Sequence, residues 1–157
     1  MVAQANEISG SAVPRRKLLR SIAIVSFLIS LSTAWAQAPR TPATGTPERR
    51  EIMDVLRVPC ERDLRQKVIF KVSLLNVVGD WALARVTPTQ PNGQDIDYRK
   101  TKYREAFEAD MFDGEGEALL RKKAGKWTLM EWRFGATDTE VMEWLKKYQI
   151  PKTILQD

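Results

Sequence analysis

Histidine is absent from all 157 residues, and cysteine occurs once, as Cys60. Without histidine, neither a Ser-His-Asp nor a Cys-His catalytic site can be built. Structural and catalytic zinc sites draw on histidine or on several cysteines, so no metal site and no cofactor are expected. Any acid–base chemistry would have to use carboxylates, lysine or tyrosine. One thiol excludes an intramolecular disulfide. Cys60 follows Pro59 in an amphipathic stretch and reads as a small buried hydrophobe, the usual fate of a free cysteine. No apolar run reaches the about 20 residues that a membrane-spanning helix needs, and no internal repeat or low-complexity tract is present.

What the chain does have begins with an export signal. Arg15, Arg16, Lys17 and Arg20 form a basic patch. An apolar stretch over 22–31, interrupted by Ser26 and Ser30, follows at once, and then small residues ending in Ala34-Trp35-Ala36. That order is a secretory signal with a small-x-small cleavage site. Residues 1–36 are expected to be a signal peptide cut after Ala36, and the product to be periplasmic or secreted, meeting the membrane only through the signal. The paired arginines also resemble a twin-arginine signal, from which Pro14 and Leu18 depart. The signal takes away four of the 25 basic residues and one of the 20 acidic ones, which leaves +2 of the formal +5. Basicity is thus largely a targeting feature, and nucleic acid, which wants a clustered basic surface, is not an expected partner.

Residues 37–47 are rich in proline, threonine and alanine and read as a flexible linker to a single domain over 48–157. Thr46 is a helix N-cap signal, with Pro47 at the first helical position. Ile52, Met53, Leu56, Cys60 and Leu64 recur at helical spacing, and Pro59 should kink that helix or start another. From Lys67 the period becomes two: Val68, Phe70, Val72 and Leu74 on one face, Ile69, Ser73 and Leu75 on the other. A turn at 78–80 leads to a second alternating strand from Trp81. The stretch 87–100 is a long loop with a hairpin turn at Asn92-Gly93, and 102–112 reads equally as helix or strand. Strands over 117–123 and 126–134 flank a tight turn at Ala124-Gly125. Thr137 and Glu140 form a capping box before a short helix with Val141, Trp144, Leu145 and Tyr148 on its apolar stripe, closed by Pro151.

The order helix, hairpin, loop, hairpin, short helix is an α+β arrangement. An N-terminal helix packs on an antiparallel four-stranded sheet, with a short C-terminal helix after it. It resembles the cystatin-like fold, including the nuclear-transport-factor-like group, in which a curved sheet wraps a helix. Gly79-Asp80-Trp81-Ala82, Glu117-Ala118-Leu119-Leu120, Gly125-Lys126-Trp127 and Gly135-Ala136-Thr137-Asp138, in that order, resemble a family of small exported bacterial proteins with no assigned function. The resemblance spans residues 48–155 and implies a fold but no catalytic residues.

Three groups of side chains are candidates for function. Tyr98, Arg99, Lys100, Lys102, Tyr103 and Arg104 interleave cations with aromatics beside the longest loop, a pattern able to grip anions and stack on flat ligands. Asp80, Glu131 and Glu117 are candidate carboxylates; Glu117 and Glu131 on adjacent strands could share a proton. The acidic stretch 110–117 offers oxygens but not the spacing of a calcium loop. Trp81, Trp127 and Trp144 read as core. Trp132, placed with Thr128, Met130 and Phe134, reads as core, while the opposite face, with Trp127, Leu129, Glu131 and Arg133, is mixed and reads as a cavity mouth or a solvent-facing side. These features favour a non-enzymatic module that binds a protein, peptide or small ligand in the envelope. The alternatives are a small cavity enzyme working through Asp, Glu and Tyr, and a binder of nucleic acid or an anionic surface through 98–104.

Overall fold

The computed structural model describes residues 38–135 and 138–156. Helix α1 (Pro47–Leu64) is followed by strands β1 (Ile69–Val78) and β2 (Trp81–Thr89), helix α2 (Arg104–Glu108), strands β3 (Gly116–Lys123) and β4 (Lys126–Phe134), and helix α3 (Asp138–Tyr148). Two 3₁₀ turns, Tyr98–Lys100 and Lys152–Leu155, complete the chain. The strands form one antiparallel sheet in the order β1-β2-β3-β4. The class is α+β, as the element pattern predicts.

Helix α1 starts where its sequence says. The Thr46 hydroxyl accepts a hydrogen bond from the Arg49 amide at 3.3 Å, and Pro47 fills a position whose amide has no intrahelical partner. No second helix begins at Pro59. Helix α1 continues through it to Leu64, with Ile52, Met53, Leu56, Pro59, Cys60 and Leu64 all buried, so tertiary packing outweighs the lost backbone hydrogen bond.

Both faces of the sheet carry a helix. Ile52, Met53 and Leu56 of α1 pack on Leu75, Val77, Ala82, Ala84, Val86, Ala118, Leu120 and Trp127. On the opposite face, Val141 and Leu145 of α3, with Ile150 and Ile154, cover Val78, Leu83 and Leu119. The sheet is therefore packed by apolar side chains on both faces, by α1 on one and by α3 with Ile150 and Ile154 on the other. The C-terminal turn is pinned by Asn76, which is buried and donates to the carbonyls of Ile154 at 3.0 Å and Gln156 at 2.7 Å. Part of the stretch expected to be a linker lies against β1. Arg40 exchanges backbone hydrogen bonds with Val77 at 3.0 and 2.8 Å, and Pro42 is buried.

Both edge strands depart from simple alternation. In β1, Val72 pairs with Val86 and Leu74 with Arg85, so Ser73 is an extra residue. In β4, Glu131 pairs with Leu119 and Leu129 with Leu120, so Met130 is extra. Each bulge shifts every later side chain to the other face. Phe70, Val72, Leu75 and Val77 therefore share the α1 face, and Leu74 joins the α3 face. Trp127, Leu129 and Trp132 likewise all face α1. This corrects the strict period of two, which puts Leu74 with Val72 and sets Trp132 opposite Trp127.

The turns follow their residues. Gly93 donates to the Gln90 carbonyl at 2.8 Å, and Thr89 bridges Asp95, closing the small hairpin at Asn92-Gly93. The 102–112 stretch resolves into the short helix α2. The capping box rests on Thr137, which lies outside the described residues, as do the signal peptide and its cleavage site. No helix among the described residues is long and apolar enough to cross a membrane.

Gly116 sits under Trp132 with no room to spare: a Cβ added to it would fall 2.5 Å from the indole. Gly116→Ala must push the ring off its seat, and urea denaturation should show a loss of about 1–3 kcal/mol, the usual cost of overpacking a core.

Candidate functional site

The 98–104 segment is built from the inside out. The Tyr98 ring is buried against Phe112 at 4.9 Å and Phe107 at 5.4 Å between centroids, and Tyr103 stacks on Phe112 at 4.8 Å. Phe134 and Trp132 of β4 continue this cluster down to Cys60 and Leu64 of α1. Tyr98 also donates to the Gly114 carbonyl at 3.3 Å, and burial pushes its hydroxyl pKa up to about 12. Tyr98 is therefore an anchor, its ring enclosed. Tyr103 is half-buried, stacked on Phe112 and with Lys102 over the ring at 5.1 Å.

The cations of the same segment point the other way. Arg99, Lys100, Lys102 and Arg104 are exposed. Arg99 lies over the Phe107 ring at 5.4 Å, and Arg104 pairs with Glu108 at 3.0 Å. Lys100 pairs with Asp97 at 3.0 Å, which holds that carboxyl below its usual range. Lys102 reaches Asp63 at 3.3 Å; burial opposes its charge, but Tyr103 and Asp63 outweigh that and raise its pKa. Asp63 also accepts from the Tyr103 hydroxyl at 3.4 Å and lies 3.5 Å from Arg62. The end of α1 and the 98–104 segment thus meet in one cationic surface.

The candidate carboxylates do not form a proton-sharing pair. Glu117 lies across from Arg133 and Glu131 across from Leu119, so the two are diagonal neighbours on the α3 face, not opposite one another. Each has its own cation. Glu117 is buried, with Arg85 at 2.6 Å. Glu131 accepts from Lys147 at 2.8 Å and Tyr148 at 2.7 Å. Hydrogen bonding from Lys147 holds the Glu131 carboxyl below its usual value against the opposing effect of burial. A general acid near neutrality needs the reverse shift. Asp80 is half-exposed at the β1–β2 turn and pairs with Arg121 at 2.9 Å. Glu131 and Asp80 therefore stand at the surface in ion pairs.

Sequence reasoning missed the polar belt on the α3 face. Ser73 donates to Glu115 at 2.9 Å, Arg85 holds Glu117, and Arg133 pairs with Glu140 at 2.7 Å. Ser73 lies on this face by simple alternation from Val72, which faces α1; the β1 bulge then keeps Leu74 on the same side. In the acidic stretch, Asp113 accepts from the Glu115 amide at 2.9 Å, a local turn. Among the described residues, no group of three or more His, Cys, Asp or Glu side chains converges as a metal site. Comparison with protein-family models, curated proteins and solved structures finds no match to this chain.

Two outcomes follow. Cys60 is fully buried, and burial with the nearby Asp63 and Glu61 pushes its thiol pKa up to about 12. It should resist maleimide in the native state and react fully in denaturant; labelling at the native rate of a free thiol would contradict this packing. Glu131, whose pKa is lowered on folding, contributes stability that is complete above the ordinary carboxylate pKa and fades as pH falls through its lowered value. Glu131→Gln should therefore reduce the urea midpoint at neutral pH, with the difference closing below about pH 4.

Proposed function

We propose that the chain is an exported periplasmic binding module of the cystatin-like or nuclear-transport-factor-like type, released by cleavage after Ala36 and working without chemistry of its own. Export is supported by the basic patch, the short apolar stretch and Ala34-Trp35-Ala36. A binding role is supported by the filling of the sheet's α1 face with Ile52, Leu56, Trp127 and Trp132, and by the capture of Glu131 and Asp80 in surface ion pairs.

The single observation that carries the reading is the construction of 98–104. Tyr98 and Tyr103 are sunk in an aromatic cluster, so the segment is held in one shape while Arg99, Lys100, Lys102 and Arg104 face solvent. A loop held in advance loses little conformational entropy on binding, and loops on a rigid frame are where recognition usually sits. The partner is a protein, peptide or small ligand of the envelope with negative charge.

The test has two readouts. N-terminal sequencing of protein from the periplasmic fraction of the native host should begin at Gln37. In-cell crosslinking should capture a defined partner, lost on Lys102→Glu with Arg104→Glu while the far-side pair Lys146→Glu with Lys152→Glu keeps it. An intact N-terminus in the cytoplasm, or capture indifferent to Lys102 and Arg104, would refute the proposal.

A further inference from the structure

Four cations meet where α1 ends. Arg62 and Arg65 come from the last turn and cap of the helix, Lys100 and Lys102 from the segment after the long loop. With Asp63 and Thr101 they line a depression of about 340 Å³, within the range of small-molecule sites. Its one carboxylate is already engaged. Asp63 is 13 % exposed and lies 3.3 Å from Lys102 and 3.5 Å from Arg62. It therefore acts as a strut that fixes both cations, with most of their donor capacity left outward.

Arg65 has no carboxylate partner among the described residues. It also takes the left-handed conformation at φ 55°, where its amide caps the Glu61 carbonyl at 2.8 Å. Helix ends of this geometry favour glycine, which adopts it without strain. An arginine there spends conformational energy to place a guanidinium beside Lys100 and Lys102. Basic residues at a helix's carbonyl end also complement its dipole, but that effect acts within the last turn and does not call for Lys100 and Lys102, which a separate aromatic cluster delivers to the same place.

We propose that this depression binds a multiply charged oxyanion of the phosphate or pyrophosphate type carried by a small solute. The proposal rests on the binding reading above and names the ligand class for that surface. Arginine forks match such oxyanions two bonds at a time, and lysines add point charges. Net charge at the depression favours a ligand with more than one negative charge over a single carboxylate.

Calorimetric titration of the full chain with pyrophosphate at low ionic strength should show saturable one-to-one binding. Arg65→Gly with Lys100→Gln should weaken it about tenfold or more, the scale of losing charge-assisted hydrogen bonds. Glycine suits the backbone at 65, so this variant keeps its fold, which thermal melting checks. Lys146→Ala with Lys152→Ala should leave the affinity unchanged, and added salt should weaken binding in the parent chain. Absence of saturation, or equal losses in both variants, overturns the proposal. So does binding to phosphatidylglycerol vesicles that depends on Arg65 and Lys100 when free pyrophosphate is ignored, since that makes a lipid headgroup the source. A flat titration with partner capture still dependent on Lys102 and Arg104 overturns the oxyanion alone; a flat titration with no capture overturns the binding reading as well.

Discussion

The seating of Trp132 over Gly116 depends on one extra residue, Met130, in an edge strand. Without that bulge the alternation of β4 would send Trp132 to the α3 face and leave a gap under α1. With it, Trp127, Leu129 and Trp132 present three consecutive anchors to the helix. Only glycine at 116 lets the indole come so close. Ser73 plays the matching part in β1, turning Leu75 and Val77 toward α1 and freeing Leu74 for the other side. Bulges at both edges also bend a sheet and blunt its exposed backbone against further pairing.

Trp132 connects this core to the surface proposed to bind. Its ring meets Phe134 edge-on at 4.9 Å, and Phe134 leads to Tyr103, Phe112 and Tyr98. Aromatic contacts of this kind combine large buried area with fixed geometry. The 98–104 segment, which carries hardly any regular structure of its own, is therefore tied to the sheet through Tyr98 and Tyr103. Its cations gain position from rings that are buried or half-buried, and Asp63 extends the same control to Arg62. Charge here is a local property: residues 37–157 carry a formal +2, yet Arg62, Arg65, Lys100 and Lys102 gather at one corner.

Much of the fold was legible in the sequence because its signals are local. Thr46-Pro47 marks a helix start, Ala124-Gly125 a tight turn, and alternating apolar residues mark strands that the sheet contains. Pairing and order followed from short connections. The bulges were not legible, because one unpaired residue leaves no local signature and inverts every assignment after it; Trp132 and Leu74 were misplaced for that reason alone. The site was half legible. Composition singled out 98–104, but not that its tyrosines face inward, since a tyrosine between lysines looks the same whichever way it turns. Arg62 and Arg65 were missed because they belong to another element and reach the segment only through the tertiary fold.

Ile52, Leu56, Trp127 and Trp132 fill the interior between α1 and the sheet, which is why the proposed recognition is assigned to the rim. A high-resolution crystal structure of the chain purified from its native host tests this directly. The expected result is the indoles of Trp127 and Trp132 seated against α1 with no density between helix and sheet. An enclosed molecule lying between α1 and those indoles would contradict it.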